Sequence, residues 1–465
     1  MPQRLLPVGP FFLAATRGPL IALVMIAACL LGLFDTLNLK TVYSLFALRG
    51  PRAATSPILI VSIGEDSFDE VDLAWPWPRA LQAQLLDRIA AGQPVAIGVD
   101  VAFPEPSSRG PEDDAVLAEA IGRANNVVLA AALTTFEQAA YTKEDLNPPI
   151  PVLRDRAAGF GPVNFLLDPD AFVRTGKAHQ LFQEQELPSF VSLLYDLAMK
   201  AGVSARPIDQ REFLINFRGG PGSFPIIPAY QILRGDALPE VFHGQVVIIG
   251  ATSPVLHDMY PTPFAPHGDM PGAEIHANAL ETLLQGISIR RVPVWVEMVF
   301  ILAAGVIGVW ITSQCKPMIA LSYLTAAAVG FFITAFWLFA SERIAVDVVP
   351  VSISLLMSYG ATVVENFILE QRQRGMLMQL FSKHGIFLHS LAAPDSEDVA
   401  VDVTGRIYTV NNKTHQIDQW SAAGQLLRSF SGSDSGRKAF TKPTGLAVNP
   451  MGLIYVADRA TNQIR

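Results

Sequence analysis

Crossing a bilayer as a helix takes about 20 mostly apolar residues. Four segments of this chain read as spans of that kind, at residues 19–34, 292–312, 317–340 and 344–366, the first being the shortest. This feature divides the chain. Residues 35–291 form one long, more polar stretch between the first span and the other three, and residues 367–465 follow the last. With 50% apolar and 16% charged residues, the chain is more apolar than an average soluble protein. A net charge of −8 without a basic stripe gives no sign of nucleic-acid binding, and no nucleic-acid partner is expected.

The first segment, PLIALVMIAACLLGLF, follows Arg4 and Arg17 and admits two readings. It is a cleaved signal, since IAAC at 26–29 resembles a lipoprotein cleavage box, or an uncleaved anchor. The anchor is favoured because the apolar run continues past Cys29. Lys/Arg asymmetry then sets the orientation. Arg4 and Arg17 lie before the first span, Lys316 in the second-to-third loop, and Arg372, Arg374 and Lys383 after the last. Residues 1–18 and the carboxyl end are therefore cytoplasmic, and 35–291 is exported. Cys29 and Cys315 sit in or beside apolar runs, and the long middle has no cysteine, which is compatible with an oxidising compartment. Glu297, Asp347 and Glu365 lie near span ends. They read as snorkelling to lipid headgroups rather than as intramembrane ion sites.

Within the exported stretch, short β-rich runs alternate with helical patterns, which predicts a three-layer, mainly parallel α/β sheet. PILIVSIG (57–64), PVAIGVDVAF (94–103), NVVLAAAL (126–133), FLINF (213–217) and QVVIIGAT (245–252) read as strands. RALQAQLLDRIAAG places Leu81, Leu85, Leu86 and Ile89 on one helical face, and PEDDAVLAEAIGRA is the next helix. Another helix is expected at 188–202, and a last one runs from Pro271 to Gly286.

Ligands of such sheets bind beyond the carboxyl ends of the strands. Glu65, Asp66, Asp100, Thr252, Asp258, Glu274 and His276 fall there. They are candidates for a small-molecule or ion site; the competing reading is that they cap helices and pin loops. Glu274 and His276 are two apart, roughly 200° around a helix, so they diverge. No His or Cys pair at metal-ligand spacing supports a metal site, and no cofactor is expected. The chain shows no G-x-S-x-G, P-loop or dinucleotide fingerprint, and hence no catalytic residues. RGGPGSF at 218–224 reads as a turn, because it lacks the Lys-Ser/Thr of a phosphate loop.

WPWPR at 75–79 opens the helix that follows the first acidic turn. Pro78 suits a first helical turn, and Arg79 is placed to pair with Glu65 or Asp66. Trp75 and Trp77, two apart in an extended segment, should face opposite ways. One packs inward and the other covers a ligand cleft, so Trp75, Trp77 and Arg79 join the candidate binding residues.

The motifs ILIVSIGEDSF, WPWPR, LLDRIAA, AIGVDVAFPEPS and DDAVLAEAI, then FRGGPGSFP, VVIIGATSPVLHDMYPTPF and MPGAEIHANALETLL, occur in one order over roughly residues 40–290. Together they resemble the type-2 CHASE domain, an extracellular sensor of bacterial signalling proteins, with its three following membrane helices. The resemblance implies a periplasmic input module on the inner membrane. Such modules are joined to nucleotide cyclases, histidine kinases or Ser/Thr kinases, and their ligands are largely undefined.

No cyclase or kinase signature follows the last span. RQRGMLMQLFSKH (372–384), within a linker at 367–395, looks like a cyclase linker or the start of a helical stalk. Beyond it, Asp402 and Asn449, Gly405 and Gly452, Tyr408 and Tyr455, and Ile417 and Ile464 are pairs at one spacing, an internal repeat of propeller-blade length. Residues 396–465 therefore resemble NHL repeats, about one and a half β-propeller blades ending inside a repeat. That is expected either of a truncated sequence or of blades that pair with another chain. The reading is a membrane sensor with an unknown periplasmic ligand. It contacts membrane lipid, pairs with a second copy, and reaches a protein partner through its NHL-like blades. The alternative is the sensor half of a class III cyclase whose catalytic part is lost or replaced.

Overall fold

The structure is a computed structural model that describes residues 10–138, 141–183, 185–205, 211–374, 377–381, 387–392, 396–411, 414–431, 433 and 439–464. Helices α1 (Pro10–Leu30) and α2 (Asp35–Arg49) open the chain, and the segments Thr16–Leu30 and Asp35–Arg49 meet at 85°. The α/β region follows: β1 (Ile58–Ile63), α3 (Glu65–Val71), α4 (Arg79–Ala90), β2 (Ala96–Ala102), α5 (Pro111–Ala124), β3 (Val127–Gln138), β4 (Tyr141–Asn147) and β5 (Gly159–Pro162). Next come α6 (Phe190–Lys200), β6 (Ile226–Pro228), α7 (Ala229–Arg234), β7 (Val246–Ala251), β8 (Met259–Thr262), β9 (Ala265–Pro271) and α8 (Gly272–Gln285).

The central sheet runs β6-β1-β7-β2-β3, with β4 and β5 both on β3. Its pairings are parallel except β3 with β4, which makes the sheet mixed. The strands are continuously apolar because both faces are covered. Ile58 and Ile60 of β1 enter one core with Ile248, Leu194 and Leu280, while Leu59 and Val61 enter another with Ile249, Leu86 and Ile121. Leu85, Leu86 and Ile89 of α4 are buried as their spacing demands, and Leu81 is partly buried. FLINF departs from expectation: only Glu212–Leu214 is a strand, and it joins a separate antiparallel sheet. Phe213, Ile215 and Phe217 are nonetheless buried. An apolar run is equally satisfied by core burial without ladder pairing.

Three helices are long and apolar enough to cross a membrane: Val294–Gln314 (α9), one beginning at Pro317 (α10, Pro317–Trp337), and one within Val348–Arg374 (α11). The bent α1–α2 pair is a further candidate only if both halves count as one span. Glycines let backbones approach here, as expected between membrane helices. A Cβ on Gly18 would lie 2.6 Å from Val306 Cα, and one on Gly305 would lie 3.3 Å from Ala22 Cβ. Asp347, near the start of α11, accepts a hydrogen bond from Asn38 Nδ2 of α2 at 2.9 Å.

The last helix continues to Arg374, past the expected end at 366. A hairpin of Leu377–Phe381 with Phe387–Ala392 follows, so an unbroken helical stalk is not formed; part of that linker lies outside the described residues. The carboxyl-terminal strands form a four-stranded antiparallel meander, from Ser396–Val401 to Leu426–Phe430, and a three-stranded sheet at 443–464. The repeat seen in the sequence is a repeat of hydrogen bonds. Asp402 Oδ1 accepts from the Thr404 and Arg406 N–H groups, and Asn449 Oδ1 accepts from those of Met451 and Leu453. Gly405 and Gly452 close the two turns at φ 80° and 82°, a backbone region that glycine enters without steric cost.

Candidate functional site

The polar residues at the carboxyl ends of the strands separate into four groups. Asp100 on β2, Asp258 and Tyr260 around the start of β8, and His276 on α8 come together as a quartet in which Asp258 and Tyr260 are half-buried. His276 Nε2 lies 3.7 Å from Asp100 Oδ2, and the two side chains are 5% and 8% exposed. Phe165 and Phe190 flank the imidazole, with ring centroids at 4.5 and 5.1 Å. Two glycines make the approach possible. A Cβ on Gly250 would meet Ala273 Cβ at 2.8 Å and Asp100 Cβ at 3.3 Å, and one on Gly272 would run into the Asp258 carboxylate.

Burial dominates the electrostatics of the quartet. It pushes Asp100 well above the usual carboxylate range, and the charge of Asp258 adds to this. Asp258 is also raised by burial, against a hydrogen bond from Tyr260. Tyr260 is pushed up to about 12 by burial and both acids, and burial takes His276 down to about 3. Among the described residues, Asp100 Oδ2 and both ring nitrogens of His276 have no hydrogen-bond partner.

Glu274 diverges from His276, as their spacing demands, and enters the second group. It is 1% exposed, and its carboxylate accepts from the Gly222 N–H at 2.6 Å and from that of Ser223. The turn at 218–224 thus cradles an anion after all, the chain's own carboxylate. Burial raises Glu274 to about 7 against those two bonds. About two turns further on, Glu281 is held by Arg218 at 2.7 Å and by the Thr55 and Ser56 N–H groups. Sequence reasoning passed over Glu281, Arg218 and Tyr260; glutamate inside an apolar helical face was the available signal for the first.

Glu65, Asp66 and Thr252 form the third group. Asp66 Oδ1 accepts from the Ser67 N–H at 2.7 Å, Ser253 Oγ lies 3.4 Å from Glu65 Oε1, and the Thr252 N–H donates to Ile63 O. Both acids are exposed.

The fourth group corrects two expectations. Arg79 pairs with neither Glu65 nor Asp66. Its Nε is 3.5 Å from Asp114 and its guanidinium lies over Phe103 at 4.2 Å, because α4 packs along α5. Asp113 accepts from the Arg79 and Ala80 N–H groups and so caps α4 from a neighbouring helix. Burial acts to raise Asp113, but these bonds, that from Ser107 and the charge of Arg109 hold it low. Nor do the tryptophans face apart. Residues 75–76 form a bend, not a strand, and the rings of Trp75 and Trp77 touch at 5.8 Å. Trp77 is 2% exposed and its indole N–H donates to Leu73 O. Beside them a cleft of about 290 Å³ is lined by Trp77, Arg79, Glu105, Ser107 and Arg109.

The α/β region thus carries a polar cluster at its strand ends and is flanked by helices long and apolar enough to cross a membrane. A family model for the CHASE2 domain matches residues 20–310, and one for the NHL repeat matches residues 440–465. The first match spans more than half of the chain, which therefore belongs to the CHASE2 domain family. No curated protein matches the sequence.

Proposed function

We propose that the chain is a bacterial inner-membrane sensor. Residues 35–291 form a three-layer α/β domain in the periplasm, four helices including residues 19–34 cross the membrane, and both termini are cytoplasmic. The NHL-type strands hand the signal to a protein partner, and no catalytic step is assigned to the chain. The observation that carries this reading is the CHASE2 match over residues 20–310, followed by three apolar helices. Lys316 in the loop between α9 and α10, with Arg372 and Arg374 at the end of α11, supports the orientation. Contacts between domain and helices support the relay: Arg290–Arg291 pairs with Ile344–Ala345 between α10 and α11, and Phe46 of α2 lies 5.0 Å from Phe339.

Cysteine accessibility tests the topology. In a Cys29→Ser, Cys315→Ser background, Leu238→Cys (66% exposed) should react with an impermeant maleimide in spheroplasts, and Met451→Cys (84% exposed) only after lysis. The reverse pattern overturns the proposal.

A further inference from the structure

The least explained feature of the molecule is the quartet of Asp100, Asp258, Tyr260 and His276. Polar atoms are buried at a cost unless partnered, yet Asp100 Oδ2 and both imidazole nitrogens lack partners among the described residues. They are 3.7 Å apart at the closest pair, beyond hydrogen-bond reach. The space beside His276, walled by Phe165, Thr175, Gln180 and Ser189, is about 20 Å³, enough for a water molecule and too little for a metabolite. Among the described residues no three His, Cys, Asp or Glu groups are gathered so as to hold a metal ion.

We propose that Asp100, Asp258 and His276 form a proton-binding site, by which the domain responds to the pH of the compartment it faces. This rests on the sensor reading above and names the signal. The titratable groups facing the site come from three elements: β2 brings Asp100, the β8 region Asp258 and Tyr260, and α8 His276, while β7 brings Gly250 against Asp100. Glu274 of α8 is turned to the 218–224 loop. α6 brings the uncharged Phe190, and the segment after β5 brings Phe165 with Lys177, which is engaged by Glu212 at 3.4 Å. Two carboxylates, that of Asp100 buried and that of Asp258 half-buried, therefore lie close to a neutral imidazole and a phenol. They do not both ionise cheaply, so they take up a proton as a coupled pair. A protonated Asp100 can donate its O–H toward His276 Nε2 and close the 3.7 Å gap. His276 lies on α8, and the chain leaving α8 forms the Arg290–Arg291 pairing against the hairpin between two membrane helices. Movement at the site is thereby passed toward the membrane.

The sign follows from the acids. Their folded-state affinity for protons is raised, so the two acids contribute stability at low pH that is lost as pH rises through their titration, whereas His276, held down to about 3, acts in the opposite sense up to its ordinary value. The test uses the full chain in detergent micelles, in a Glu274→Gln background so that this carboxyl does not contribute. Infrared difference spectra and thermal unfolding are recorded between about pH 4 and 8. The parent should show a titrating carboxylic-acid carbonyl band that Asp100→Asn or Asp258→Asn diminishes. Because His276 works against the acids, the parent is read against Asp100→Asn, an isostere of the protonated acid: relative to that variant the parent's Tm should fall as pH rises. An unchanged band and Tm slope in Asp100→Asn overturn the proposal. Should that variant not fold, the parent decides alone: no titrating carboxylic-acid band in this range overturns it. The titration is independent of topology, so a failed maleimide map would remove the sensor reading without touching the proton site.

Discussion

Trp77 carries more of the fold than its neighbour. It is fully enclosed against Phe68 and the α4–α5 core, whereas Trp75 is only partly covered. Removing a buried tryptophan costs about 3–5 kcal/mol. Trp77→Ala should therefore lose that much in denaturant unfolding, and Trp75→Ala distinctly less. Equal losses would mean that the two rings act as one packed unit. Glu274 gives a pH signature of its own. With its pKa lifted from an ordinary value of about 4.3 to about 7, its ionisation opposes folding. The penalty is absent below the ordinary value and complete above the raised one. Glu274→Gln, whose amide oxygen still accepts from Gly222 and Ser223, should gain stability over the parent as pH rises through that window. The gain should be on the order of 2–3 kcal/mol, read as the Tm difference against pH.

At the scale of elements, α8 is the hub. All its residues from Gly272 to Leu284 are buried, and its polar positions are distributed to different partners. Glu274 goes to the glycine-rich turn, His276 to Asp100, Asn278 to the Arg218 N–H, Glu281 to the Arg218 side chain, and Thr282 to the Asn216 N–H. Removing one partner of a buried ion pair strands the other, at about 3–5 kcal/mol. Glu281→Ala should be that damaging, and the double variant with Arg218→Met should recover part of the loss. In the carboxyl-terminal strands, Asp402→Ala and Asn449→Ala each remove two N–H acceptors from equivalent turns. Hydrogen exchange should accelerate at Thr404 and Arg406 in the first, and at Met451 and Leu453 in the second. Much of this level was legible in advance. The α4 and α8 boundaries, the strands at 57–64, 94–103 and 245–252 and the repeat spacing follow from local periodicity and turn chemistry. FLINF was misassigned because apolarity alone does not distinguish a ladder strand from a buried loop.

At the largest scale, the α/β core extends into the hairpin between α10 and α11. Phe46 packs edge-on against Phe217, Phe264 and Phe339, and the Arg49 guanidinium lies near three of these rings while its Nη1 donates to Asn216. Phe339 is 1% exposed although it lies between two apolar helices. Phe339→Ala in the full chain should therefore lower the unfolding temperature of the α/β region. A fragment of residues 40–290, which lacks Phe339 altogether, should be similarly weakened; a fragment as stable as the full chain would show that the hairpin contributes nothing.

The sequence alone determined where the apolar helices lie, that an α/β region sits between them, and that a 47-residue repeat ends the chain, because hydropathy, period and turn residues are local properties. It also brought Asp100, Asp258 and His276 onto one candidate roster, since strand ends can be counted along the chain. Only the tertiary structure decided who meets whom. Arg79 goes to Asp114 rather than Glu65 because α5 lies alongside α4, and Glu274 turns away to a glycine-rich loop 52 residues distant in sequence. His276 is left facing Asp100 with no hydrogen-bond partner among the described residues. Pairings of this kind depend on how distant elements pack and on the burial that results, and neither is encoded in any short stretch of the chain.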